Sequence, residues 1–141
     1  MTSGTINGSR FIRAMGAPFR LREDGSVSAA CTLGEAQEGA PGYAHGGALA
    51  ALIDEAMGAA CWLTGYRAVS VHLSFDYQYP VALGAPIHVS GQVERRDGRK
   101  VFTSGSIRLA DGNVAVSGSG IFVDAPAMLE KVTGFSLSLD E

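Results

Sequence analysis

From Gly46 to about Leu63 the chain is almost wholly apolar, yet Asp54 and Glu55 stand side by side in the middle of that stretch. The run Gly42-Tyr43-Ala44-His45-Gly46-Gly47 before it reads as a turn and a helix start, and Gly65 reads as the glycine that ends the helix. A helix apolar on every face is a buried helix. Buried carboxyl groups are rare unless they are paired or employed. Two of them on one buried helix therefore point to chemistry, with Asp54 as the leading candidate.

The remainder alternates. Phe19 and Leu21, the Asp24-Gly25 turn, and Val27, Ala29 and Cys31 read as a short hairpin. Residues 34–44 read as a loop. After the helix, Val69, Val71, Leu73, Phe75, Tyr77 and Tyr79 fall on one strand face, with Ser70, His72, Ser74, Asp76 and Gln78 on the other, until Pro80 stops the pattern. Three more alternating segments follow, around 87–93, 101–109 and 114–122. Asp97-Gly98 predicts a type I′ hairpin turn between the first two. The expectation is α+β: a four-stranded antiparallel meander, fronted by the short hairpin, curving around one long buried helix. Glycines 91, 105, 118 and 120 inside strands predict close approach of the helix or of a ligand. A sheet of this size leaves an edge or face uncovered, which predicts dimerisation through the sheet.

Length and composition bound the rest. At 141 residues the chain fits one domain over 1–141, with its core at about 17–123 and a C-terminal tail at 124–141 that has room for one helical turn. The net charge of −3 offers no basic excess for nucleic acid. Two cysteines, Cys31 and Cys61, make neither a disulfide framework nor a zinc set, and a reduced, cytoplasmic setting is the simplest reading. No apolar run reaches the roughly 20 residues that span a bilayer. Arg10, Arg13, Arg20 and Arg22 without an acid give the first 22 residues a faint likeness to a transit peptide, although their apolar residues suit a strand. No metal-ligand spacing, phosphate loop or Gly-x-Ser-x-Gly is present, so no metal and no cofactor are expected.

The helix start carries amides without intrahelical partners and the positive end of the helix dipole. The N–H groups of Gly46 and Gly47 can therefore hold an oxyanion or polarise a carbonyl, and glycine lets a substrate come close. Asp54 lies about 12 Å further along the axis at 1.5 Å per residue. One carbonyl cannot touch Gly46 N–H and Asp54 of the same helix, so a complete site needs two antiparallel copies. Ala50, Ala51, Met57 and Gly58 surround Asp54 and leave room for a ligand or a water. Glu55 points about 100° away, as an interface or supporting group or as the working acid itself. His45 is a loop-fixing partner or a participant. Ser70 is placed to bind water or ligand. Arg95, Arg96, Arg99 and Lys100 around the 97–98 turn are either a solvated hairpin or a phosphate-binding patch.

The segment Gly-Tyr-Ala-His-Gly-Gly-Ala-Leu-Ala-Ala-Leu-Ile-Asp-Glu resembles the motif of hotdog-fold acyl-CoA thioesterases of the PaaI-like, or thioesterase-superfamily-member, group. Val69-Ser70-Val71, Asp76-Tyr77-Gln78-Tyr79-Pro80 and Gly98-Arg99-Lys100 match in the same order, so the resemblance covers about 17–123. It implies a hotdog homodimer, often paired into a homotetramer, that hydrolyses acyl-CoA without a metal. Asp54 matches the catalytic carboxylate, Gly46 the carbonyl-polarising amide, His45 the motif histidine, and Ser70 a water-holding serine. Gly47 and Glu55 would line the substrate site, and Arg96, Arg99 and Lys100 resemble a region that meets the nucleotide of coenzyme A. Some members carry Asn or Gln six or seven residues before the motif histidine. Here Gly39 and Glu38 stand there, with Gln37 one further back. Two other activities compete: a hotdog hydratase or dehydratase, and a non-catalytic acyl-CoA-binding or regulatory protein.

Overall fold

The computed structural model describes residues 5–6, 9–13, 15–125 and 139–140. In chain order these give β1 (Thr5–Ile6), α1 (Arg10–Arg13), β2 (Phe19–Leu21), β3 (Val27–Cys31), a 3-10 turn (Glu35–Gln37), α2 (Gly46–Leu63), β4 (Ala68–Tyr77), β5 (Ile87–Asp97), β6 (Lys100–Leu109), β7 (Val114–Asp124) and β8 (Leu139–Asp140). All strands join one antiparallel sheet in the order β4-β7-β6-β5-β3-β2-β1-β8. Most of the expected tail, with its helical turn, lies outside the described residues; Leu139 and Asp140 pair with β1.

The sheet curves around α2, which packs on β2 to β7. This is the hotdog fold. Leu52, Ile53, Ala56, Met57 and Ala60 of the helix are fully buried against Phe19, Val27, Val89, Val101, Ile107 and Phe122 of the sheet. A Cβ on Gly91 would stand 2.5 Å from the Ala56 carbonyl carbon, so only glycine lets β5 run this close to the helix. Gly105, Gly118 and Gly120 meet Ile53 and Met57 side chains in the same way, so the strand glycines serve the close approach of the helix. By length and composition α2 could cross a bilayer, but here it is the core helix of the sheet.

Three expectations need correction. The four long strands are not a meander: β4 pairs with β7, and β5 leaves it to pair with β3 and β6. The 78–86 loop carries the chain across, held by Ala44 N–H to Val81 O, Leu83 N–H to Gly42 O and Gly84 N–H to Leu33 O. These bonds fix β5 beside β3 before it can fold back on β4. The β5–β6 turn is Gly98-Arg99, one residue later than expected, because Asp97 still pairs with Lys100. Gly98 has φ of 60° and Arg99 does not have a positive φ, which is the II′ arrangement and not I′.

The third correction matters most for function. β4 does not alternate along its whole length, because a bulge between Ser70 and His72 leaves Val71 unpaired and 60% exposed. Downstream of the bulge Leu73 and Phe75 pack toward the helix; upstream Ala68 is buried, and Ser70 shares its side. One extra residue thus turns Ser70 from the outer face to the helix face.

Candidate active site

Residues 37–45 are laced by backbone bonds. His45 N–H donates to Gln37 O at 2.7 Å, Gly39 N–H to Tyr43 O at 2.9 Å, and Tyr43 N–H to Ala40 O at 2.9 Å. A Cβ on Gly39 would come within 2.8 Å of the His45 Cα, so this close return of the loop needs glycine. His45 then sits extended as the N-cap of α2, and its Nδ1 accepts the Gly47 N–H at 2.8 Å. With Nδ1 an acceptor, the proton of a neutral ring is on Nε2. The histidine is a loop-fixing partner, and the Gly47 amide is spent on it.

The Gly46 N–H finds no acceptor among the described residues. It is the open donor at the positive end of an 18-residue helix. The Gly46 carbonyl oxygen accepts the Tyr77 hydroxyl at 2.8 Å, and a Cβ at Gly46 would stand 3.6 Å from the phenol ring. Sequence reasoning gave Tyr77 no role; its signal was its place in the matching strand end Asp76-Tyr77-Gln78-Tyr79-Pro80.

Asp54 is half-buried on the side of α2 that also holds Ala50 and Ala51. Burial pushes its carboxyl above the ordinary value, the Glu55 charge pushes the same way, and the Ser70 hydroxyl, turned inward by the bulge, acts against both. Glu55 does not share that setting. Its Oε1 accepts the Ser9 N–H at 2.7 Å, tying the segment that leads into α1 against the helix. It is occupied in holding the chain together and is not aimed at the helix start.

The basic hairpin lies elsewhere. The Arg96 guanidinium stacks 4.5 Å from the Tyr66 ring centre, just past the end of α2, and pairs with Asp124 at 3.3 Å. Arg99 Nε reaches the Asp124 carbonyl at 3.4 Å, and Lys100 is exposed. Within one chain these groups are at the opposite end of the helix from Gly46. Among the described residues no group of three His, Cys, Asp or Glu is placed to hold a metal ion.

Of two cavities, one bears on the site. One of about 430 Å³ adjoins the helix start, between Phe11 and Met15 on one side and Gln37, His45 and Ala48 on the other. Gln37, set back from the family's usual position, therefore still lies beside the histidine. The other, about 530 Å³, is on the outer sheet face among Arg22, His88, Ser90 and Arg108, away from this chemistry.

The sequence matches the thioesterase superfamily over residues 41–116, more than half the chain. The chain belongs to the thioesterase superfamily. Acyl-coenzyme A thioesterase THEM4 of Xenopus laevis is 42% identical over 78 residues, which are 55% of this chain and 35% of that protein. The chain spans about a third of the length of the curated relatives it matches. A solved thioesterase superfamily protein, 40% identical, superposes with a TM-score of 0.74 over 77% of this chain and 53% of its own. The PaaI protein of E. coli, from the phenylacetic acid degradation operon, is 20% identical with a TM-score of 0.74 over 80% of this chain and 82% of its own, and shares the fold. The superfamily match takes in His45, Gly46, Asp54, Ser70 and Tyr77.

Proposed function

We propose that this chain hydrolyses acyl-CoA thioesters, with Asp54 as the reacting carboxylate and the Gly46 N–H as the donor to the thioester carbonyl. The observation that carries the reading is the open amide at the start of a helix that also bears a half-buried, ionisation-resistant Asp54. The superfamily match and the acyl-coenzyme A thioesterase name of the THEM4 relative supply the substrate class.

Two routes use the same groups. As general base, Asp54 takes a proton from water while the hydroxide adds to the carbonyl carbon. As nucleophile, its carboxylate adds directly, and water later cleaves the resulting anhydride. In both, negative charge gathers on the carbonyl oxygen and is met by the Gly46 N–H. The C–S bond then breaks, and coenzyme A leaves as a thiolate that takes up a proton.

The site closes between two copies. Gly46 and Asp54 are about 12 Å apart along one helix axis. β4 is the edge strand of the sheet among the described residues, and it carries both Tyr77 at the helix start and Ser70 beside Asp54. If two β4 edges pair antiparallel about a centre between Leu73 and Ser74, position 70 of one copy faces position 77 of the other. The Asp54 of one copy then meets the Gly46 of its mate. The homodimer is therefore the working unit, and sedimentation reads whether dimers pair further into a tetramer. The free thiols Cys31 and Cys61 are in keeping with a reducing cytoplasm.

The test is turnover of an acyl-CoA panel, followed by release of the free thiol. Asp54→Asn keeps the shape of the side chain and removes the carboxylate. It should leave the fold intact and lower kcat/KM by on the order of 10² or more. A folded Asp54→Asn with near-full turnover ends the assignment.

A further inference from the structure

The pocket beside the helix start has one wall that the catalytic reading does not use. Phe11 and Met15 supply it, and both belong to the segment around α1. Three features hold that segment in place. Ile12 and Met15 are buried in the core, Ser9 Oγ accepts the Ile12 N–H at 3.3 Å, and the Ser9 N–H is bonded to Glu55. Phe11 between them is 61% exposed, and its ring is free to line the pocket.

We propose that Phe11 and Met15, on the segment that Glu55 latches to α2 through Ser9, wall the pocket that receives the acyl chain, with Phe11 as the residue that sets acyl length. This rests on the thioesterase reading above. A carbonyl on the Gly46 N–H has two substituents to place. One side of the helix start opens past Tyr77, whose hydroxyl and exposed ring offer a polar path. The other side adjoins the pocket of about 430 Å³ that His45, Gly47 and Ala48 border, where Phe11, Met15, Ala36 and Ala48 present carbon. Among the described residues the one acid there is Glu38, whose Oε2 accepts the Gly42 N–H. A carbon-lined hollow with an acid at its rim suits an acyl chain and repels the phosphates of coenzyme A. Its volume falls in the usual ligand-pocket range, roughly 300–1,000 Å³, so an acetyl group would leave most of it empty. The substrate class is acyl groups larger than acetyl.

In this arrangement Glu55 is a positioning residue. It touches no substrate and acts by fixing the Ser9 end of the wall. This gives a role to the second carboxyl on the helix, which the mechanism leaves unused.

The experiment compares kcat/KM for acetyl-, hexanoyl- and dodecanoyl-CoA in the wild type, Phe11→Ala, Phe11→Trp, Glu55→Ala and Glu55→Gln. Acetyl should be the poorest wild-type substrate. Phe11→Ala should raise the dodecanoyl-to-hexanoyl ratio by on the order of tenfold, and Phe11→Trp should lower it. Glu55→Ala should flatten the ratio, and Glu55→Gln, which keeps the acceptor oxygen, should restore it. Any general effect of Glu55 on Asp54 cancels in the ratio. An unchanged ratio in both Phe11 variants overturns the proposal, as does a Glu55→Gln profile no different from Glu55→Ala. The same series, bound as thioether analogues and read by calorimetry, tests the pocket without turnover. Absence of hydrolysis therefore counts against the catalytic reading, and absence of length selection in binding counts against this one.

Discussion

The Tyr77 hydroxyl donates to the Gly46 carbonyl oxygen at 2.8 Å, so the last residue of β4 holds the first residue of α2. The bond acts on the peptide that follows the open Gly46 amide and fixes the direction in which the helix start points. Tyr77→Phe keeps the ring against the glycine and deletes only this bond. A net hydrogen bond contributes about 0.5–1.5 kcal/mol to stability, so the unfolding midpoint should drop by a few degrees, and kcat/KM should fall severalfold as the helix start loses its tether. Steady-state kinetics on the folded variant decide it. An unchanged kcat/KM would mean that the helix start needs no tether.

The pH profile should carry the signature of Asp54. Burial and the Glu55 charge hold its carboxyl above the ordinary 3.8. An acid with a raised folded pKa keeps its proton in the native state after the unfolded chain has lost it. Stability therefore falls as pH rises from 3.8 through the folded value, the same window in which Asp54 ionises. The acid limb of kcat/KM should lie above 3.8. Glu55→Gln removes a neighbouring charge and should move the limb down; Ser70→Ala removes the opposing hydroxyl and should move it up. A limb that stays fixed in both variants would assign the titration to another group.

The composite site has its own test. Gly46 is the first helical residue, where proline is tolerated, and His45 before it is already extended, as a residue preceding proline prefers. Gly46→Pro thus deletes the open N–H and leaves the helix standing. It should be inactive alone, as should Asp54→Asn. Mixed, they form hybrid dimers in which one of two sites keeps both intact groups, so activity should return to a fraction of the wild-type value. Hybrids confirmed by native mass spectrometry without any recovered activity would place both groups of a site in one chain.

The legible parts of this protein were those written in local pattern. The mostly apolar run between His45 and Gly65, broken by two acids, reads as the core helix, and the hairpin of Phe19 to Cys31 follows from alternation around Asp24-Gly25. Asp54 could be singled out because an acid inside such a run needs a reason. What alternation could not show was set by single residues and distant bonds. The β4 bulge at Val71 inverts the face of Ser70, and strict period two hides it. The pairing of β4 with β7 depends on the 78–86 loop bonding to residues 33, 42 and 44, a long-range choice with no local trace. The partner of Glu55 is the backbone of Ser9, 46 residues away, and a backbone donor has no signature in sequence.

The hairpin of Arg95 to Lys100 holds four of the chain's eleven basic residues, but they are not equally free. Arg96 is neutralised by Asp124, and Arg95 stacks 3.7 Å from the Phe102 ring centre. Arg99 leans on the Asp124 carbonyl, and Lys100 is exposed. If the hairpin meets the phosphates of coenzyme A, Arg99 and Lys100 carry the contact. Its position at the far end of its own α2 means that it would serve the site in which its chain supplies Asp54. Arg99→Ala with Lys100→Ala should then raise KM for acyl-CoA and leave kcat nearly unchanged, because phosphate contacts distant from the carbonyl are the same in ground and transition states. The effect should weaken with added salt, as exposed charge pairs are screened within about 10 Å at 0.1 M. It should disappear for an acyl-pantetheine thioester, which lacks the nucleotide. An unchanged KM for acyl-CoA at low salt would leave the hairpin as a solvated tip held by Asp124, and would send the nucleotide to another part of the surface.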